Sequence, residues 1–247
     1  MLMSHALLYD AHHQRHLEDL PFWLELARNA NGPILELGCG TGRILLPLLE
    51  NDLPAMGLDL DVDMLAILQE KSSLTKHTPP LIRADMAAFH FSDRFSLIIL
   101  PCNTLSTLQE TARIAMLELA TYHLAPGGLF AASIPNPLLL ASLPQQVDPE
   151  MEESFTHPLD GTVVQVSNAW EHNDKLFTLH WYYDLQRTDG SQERFSATSY
   201  HNLIPASQYV AEFEAAGLTI LHQYGDFKRR PFTRRAHNLI LVARKPI

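Results

Sequence analysis

From residue 31 to residue 135, short apolar runs alternate with stretches in which apolar residues recur every three to four positions. The runs at 34–37, 55–58, 81–82, 95–100 and 129–134 are short and nearly unbroken, as expected of strands covered on both faces of a sheet. Between them, 44–49, the stretch through Met64, Leu65, Ile67 and Leu68, and 105–124 carry a helical period. Strand alternating with helix predicts βαβ units and a parallel sheet. Ahead of this block, residues 3–30 read as helix divided near Pro21, with Leu20, Phe22, Trp23, Leu24, Leu26 and Ala27 on one face.

Beyond residue 136 the pattern changes. Residues 136–158 are rich in proline and acid and read as a crossing loop or lid. The segments 163–169, 175–186 and 194–204 alternate at period two, with turns at Asn173-Asp174 and Asp189-Gly190, so three antiparallel strands are expected. Residues 206–216 return to the helical period with Gly217 as its C-cap, and 218–224 and 238–244 follow as a closing hairpin. The expected architecture is α/β: a Rossmann-like seven-stranded, mostly parallel sheet with helices on both faces and a small antiparallel β insertion.

The 247 residues suffice for a core without metals or disulfides, and the two cysteines, Cys39 and Cys102, are too few for a disulfide framework. A net charge of −10 opposes binding to nucleic acid. No apolar run is long enough to span a bilayer, and the first residues lack the apolar core of a signal peptide, so a cytoplasmic protein that engages no membrane is expected.

The chemistry concentrates where the first strand meets its helix, at Glu36-Leu37-Gly38-Cys39-Gly40-Thr41-Gly42-Arg43. Glycines there accept positive φ and let a ligand approach the backbone. Asp59 ends the second strand about 20 residues later, where a carboxylate can hold both hydroxyls of a ribose. Arg43 stands where the dinucleotide fingerprint needs its third glycine. That disfavours an NAD-dependent oxidoreductase.

The order Glu36-x-Gly38-x-Gly40-x-Gly42 resembles motif I of the class I S-adenosylmethionine-dependent methyltransferases. The resemblance implies that the turn of Gly38, Cys39, Gly40, Gly42 and Arg43 cradles the amino-acid end of S-adenosylmethionine, with Glu36 anchoring its amino group. It implies Asp59 and Leu60 at the ribose, Asp85 and Met86 at the adenine, and Tyr9 lying over the cofactor. Leu100-Pro101-Cys102-Asn103 resembles a non-acidic form of the family's motif IV, which places Leu100, Cys102 and Asn103 closest to the methyl group. Ala125-Pro126-Gly127-Gly128 adds a further resemblance, and small-molecule N-methyltransferases carry a cap after the fifth strand.

The implied division is 1–30 as an N-terminal helical lid, 31–136 with 205–247 as the cofactor domain, and 137–204 as an inserted loop and antiparallel β cap for substrate. The implied function is methyl transfer by in-line displacement to a small-molecule acceptor, most readily an amine, with S-adenosylhomocysteine as product. A non-catalytic cofactor-binding regulator and a protein methyltransferase are the alternatives. Candidate bases on the cap strands are His180, Tyr183, Tyr200 and His201. Cys102 is expected as a buried thiol. His12 and His16 share a helical face, but no nearby acid or cysteine completes a ligand set, so no metal is expected. Five basic residues among positions 228–235 read as a solvated loop or as a clamp for an anionic acceptor. The oligomeric state stays open between monomer and homodimer.

Overall fold

The computed structural model describes residues 5–186 and 190–247. Helices α1 (His5–His13) and α2 (Leu20–Arg28) precede strand β1 (Ile34–Leu37). There follow α3 (Leu45–Glu50), β2 (Ala55–Asp59), α4 (Val62–Ser73), β3 (Leu81–Arg83), β4 (Phe95–Leu100), α5 (Thr104–Thr107), α6 (Glu110–His123) and β5 (Leu124–Pro135). Next come α7 (Pro137–Leu140) and the strands β6 (Gln146–Thr156), β7 (Val163–His172), β8 (Leu176–Gln186) and β9 (Gln192–Asn202). Helix α8 (Ala206–Ala215) and strands β10 (Thr219–Tyr224) and β11 (Asn238–Arg244) end the order.

Among the described residues, seven strands form one sheet in the order β10-β11-β5-β4-β1-β2-β3. All neighbours are parallel except β11, which is antiparallel to both β10 and β5. The order reverses beside β1 and β4, and their carboxyl ends open the crevice in which such sheets bind ligands. The unbroken apolar runs of β1 and β4 follow from this position: each face is covered. Leu35, Ile98, Phe130 and Leu241 pack with α6 and α8, and Ile34, Leu97, Ile99 and Ile240 pack with α2, α3 and α4.

The remaining strands form a second sheet, β6-β7-β8-β9, antiparallel throughout. It holds one strand more than the three expected, because β6 lies within the segment read as a loop or lid. Only Phe155 of β6 is buried, and two register shifts interrupt its pairing with β7, so no alternation reaches the sequence. Asparagine 136 caps the short α7 through Leu138 N at 3.0 Å. Leu8 of α1 packs with Phe155, Val164, Val166, Tyr183 and Leu185 of this sheet.

Two helix boundaries differ from the expected ones. The N-terminal helix breaks at residues 14–19, while Pro21 sits in the first turn of α2, where its missing N–H costs nothing. The single helix expected over 105–124 is two, α5 and α6, with Leu108 extended between them. The Leu108 carbonyl is taken by Arg113 Nη1 at 3.0 Å and by Asn202 Nδ2 at 2.9 Å from β9, so the join also anchors the second sheet. Residues 3 and 4 of the first helical stretch and Asp189 of the Asp189-Gly190 turn lie outside the described residues; Gly190 has φ +85. No described helix is long and apolar enough to cross a membrane.

Candidate functional site

The turn after β1 needs its glycines. Gly38, Gly40 and Gly42 have φ of +65, +51 and +84, and a Cβ on Gly42 would stand 2.3 Å from Leu68 Cδ1 of α4. Gly42 therefore lets the turn close on α4 rather than facing the ligand. Asp59 ties the turn to β2: its Oδ2 accepts from Gly40 N at 2.7 Å and its Oδ1 from Asp61 N at 2.9 Å. Asp61 caps α4 through Asp63 N and Met64 N.

Gly38, Gly40, Asp59, Asp61 and Met64 line a cavity of about 350 Å³ that also takes in Tyr9, Glu36, Leu60, Asp85, Met86 and Cys102. Glu36 is 2% exposed and its Oε2 has no hydrogen-bond partner. Burial pushes its carboxyl well above the usual carboxylate range, against the pull of Arg43. Asp85 accepts from Ala87 N at 2.8 Å.

At the end of β4, Cys102 and Asn103 are both left-handed, with φ of +60 and +63. Two consecutive non-glycine residues in that region are costly and recur at functional sites. Cys102 is exposed rather than the buried thiol expected, because this backbone turns it outward from the strand. Arg43 Nη2 donates to its Sγ at 2.9 Å, and the guanidinium forks onto Asp19 at 2.5 and 2.7 Å and reaches His16 O at 2.8 Å.

A second cavity, of about 230 Å³, adjoins the first and shares Tyr9, Arg43 and Cys102 with it. Its other walls include His13, His16, Glu18, Asp19, Asn103 and Ser133. The rings of Tyr9 and His13 stack at 3.9 Å. His13 Nδ1 meets the Tyr9 carbonyl at 3.0 Å, so that nitrogen carries the proton and Nε2 keeps its lone pair. Burial, then the neighbouring His12, brings His13 down to about 3, so the ring stays neutral.

The structure thus brings Tyr9, Glu36, Gly38, Cys39, Gly40, Arg43, Asp59, Leu60, Asp85, Met86 and Cys102 to one cavity, and Asn103 to its neighbour. Leu100 is fully buried in the sheet. None of His180, Tyr183, Tyr200 and His201 lines either cavity. Tyr183 packs beneath α1 and meets His12 Nδ1 at 3.2 Å; His201 turns into α5, 2.8 Å from Ser106 Oγ. His180 pairs with Thr198 Oγ1 at 3.0 Å, and Tyr200 is 53% exposed.

Sequence reasoning missed Thr41, Met64, Thr104 and Leu108 in the first cavity and His13, Glu18 and Asp19 in the second. Met64 was within reach, since it follows the N-cap of the helix beside Asp59. The acidic pair was not, because residues 14–19 are brought to the cavity by long-range contacts, Asp19 and His16 O with Arg43 and Arg15 and His16 with Glu153. In the basic loop, Arg229 pairs with Glu25 at 2.7 Å and Arg230 with Asp226, while Phe227 and Asn238 on either side of that loop line the second cavity.

S-adenosylmethionine fits the larger cavity on the residues present. The unpartnered Glu36 oxygen would meet the ammonium of its amino-acid end, the backbone at Gly38 and Gly40 would admit the chain, and Asp59 stands at the crevice where a ribose would lie. A protein-family model described as a methyltransferase domain matches residues 34–128. The dTDP-3-amino-3,6-dideoxy-alpha-D-glucopyranose N,N-dimethyltransferase of Streptomyces fradiae is 25% identical over 223 residues, 87% of this chain and 84% of that protein. A solved S-adenosylmethionine-dependent methyltransferase from Clostridium acetobutylicum superposes with a TM-score of 0.80 at 16% identity, over 97% of both chains. The amino pentose methyltransferase CalS10 from Micromonospora echinaspora, solved with S-adenosylmethionine bound, gives a TM-score of 0.71 at 19% identity over 99% of both chains. The chain thus carries a match to a methyltransferase domain over residues 34–128, on the fold it shares with these solved methyltransferases.

Proposed function

We propose that this chain is an S-adenosylmethionine-dependent methyltransferase, that its acceptor is a small polar amine, with amino sugars as its class, and that the reaction is N-methylation. The observation that carries this reading is the second cavity. It meets the first cavity at Tyr9, Arg43 and Cys102, and it offers Glu18 and the lone pair of His13 to a group that donates hydrogen bonds or carries positive charge. The Streptomyces fradiae relative, named for an amino-sugar substrate, supports the same class.

Bound S-adenosylmethionine supplies a methyl group already activated on a sulfonium. Glu36 would hold the amino-acid end, Gly38 and Gly40 would approach it with bare backbone, Asp59 would take the ribose hydroxyls, and Asp85 with Met86 would meet the adenine. Tyr9 covers the junction of the cavities. At that junction these residues would present the activated methyl group in line to the acceptor nitrogen and keep water out. His13, held neutral, accepts a hydrogen bond from the acceptor N–H and aims the nitrogen lone pair; so weak a base leaves the proton to water. Positioning of this kind can supply about 7–11 kcal/mol. The 137–204 segment acts as the substrate cap and residues 1–30 as the lid.

The test is methyl transfer from radiolabelled cofactor to a panel of amino sugars and their hydroxyl counterparts. Turnover of amines alone, rising with pH as the acceptor loses its proton, is expected. Equal turnover of the hydroxyl compounds would contradict the reading.

A further inference from the structure

We propose that His12, His16 and Glu153 form a binding site for one divalent ion of zinc's class, at the joint between α1 and β6. The two histidines stand at the end of α1 and in the turn beyond it, where Arg15 N and His16 N still donate to His12 O and His13 O at 3.3 and 3.1 Å. Glu153 comes from the strand that the sequence conceals. Its Oε1 lies 3.1 Å from His12 Nε2 and 2.8 Å from His16 Nε2, and the three atoms fall within 4.8 Å of one another. Four ligands at about 2.0–2.1 Å in a tetrahedron stand about 3.3 Å apart, so small shifts suffice to close them on an ion.

The surroundings match what such an ion requires. His12 is 1% exposed, and its other nitrogen faces the Tyr183 hydroxyl at 3.2 Å. With Nε2 on an ion, Nδ1 carries the proton and donates to that hydroxyl, the outer partner that fixes a ligating imidazole. Arg15 Nε holds the second carboxylate oxygen of Glu153 at 3.2 Å, leaving Oε1 for the ion. The His16 side chain is half exposed, which gives a path from solvent and room for a water as the fourth ligand. Two neutral imidazoles and one carboxylate are a donor set suited to zinc.

An ion there would pin α1 to the four-stranded sheet. Tyr9 and His13 of α1 line the cavities and His16 borders the second one, so the ion would hold the lid over the acceptor.

The experiment uses the full chain, stripped with a chelator and titrated with cobalt(II) for its visible spectrum and with zinc(II) by calorimetry. One equivalent should bind, with the intense absorption of four-coordinate cobalt. Losing an outer partner weakens metal binding about 10–100-fold, so Tyr183→Phe should fall in that range and His16→Ala and Glu153→Gln should lose at least about 100-fold. His222→Ala, on exposed β10, should bind as the native chain does. Zinc should raise the unfolding midpoint of the native chain and not that of His16→Ala. Absence of a one-to-one complex, or folded His16→Ala and Glu153→Gln that bind as the native chain does, would overturn the proposal.

Discussion

Replacing Glu36 with Gln should move two properties in opposite directions. The carboxyl is 2% exposed, one oxygen is unpartnered, and burial raises its pKa well above the usual range. A carboxyl whose folded pKa is raised stabilises the fold fully below its unfolded value of about 4.3, and that stability is lost as pH rises through the folded value. The ligand-free Gln variant escapes this loss, so at pH 8 it should unfold at a higher temperature than the native chain, and near pH 4 the two should converge. Cofactor binding should respond the other way. A charge-assisted hydrogen bond exceeds a neutral one by about 1–2 kcal/mol, so S-adenosylmethionine and S-adenosylhomocysteine should bind about 5–30-fold more weakly. Native affinity should also climb with pH as Glu36 ionises, and the variant should lack that climb. Thermal unfolding from pH 4 to pH 8 and calorimetry from pH 5 to pH 8 read both effects. Unchanged affinity together with a less stable ligand-free protein would refute the assignment of Glu36 to the cofactor's ammonium.

Arg43→Ala strands Asp19, whose side chain is only 10% exposed, and should lower the urea unfolding free energy by about 3 kcal/mol; a loss under about 1 kcal/mol would contradict the clamp. Glu212→Ala leaves Arg113, 2% exposed, without its carboxylate at 2.5 Å, and should cost about 3–5 kcal/mol with little dependence on salt, measured by urea unfolding at low and high ionic strength. Burial lowers His201 to about 4, so its contribution is complete above about 6.5 and disappears as pH falls through 4; His201→Gln should flatten that acid limb by about 3 kcal/mol, and an unchanged limb would rule it out.

The parallel sheet was legible because burial on both faces leaves nearly pure apolar runs, as in β1 and β4. The first cavity was legible because its parts follow consecutive strands: the glycine turn after β1, Asp59 after β2, Asp85 after β3. The second cavity was not, since its walls come from α1, the turn at residues 14–19, the ends of β4 and β5, and the loop before β11, joined only in three dimensions. β6 escaped because its one buried side chain, Phe155, leaves no period to read. The placement of Tyr183 and His201 escaped for a related reason. Alternation divides a strand's residues into two faces without telling which face meets α1 or α5.

The account stands on two cavities that meet at Tyr9, Arg43 and Cys102. A crystal structure with S-adenosylhomocysteine bound tests it most directly. The ribose hydroxyls should lie on Asp59, the ammonium on Glu36, and the sulfur at the junction, facing His13 and Asn103 across the second cavity. A sulfur turned away from that junction, or an amino-acid end that leaves Glu36 unpartnered, would contradict it.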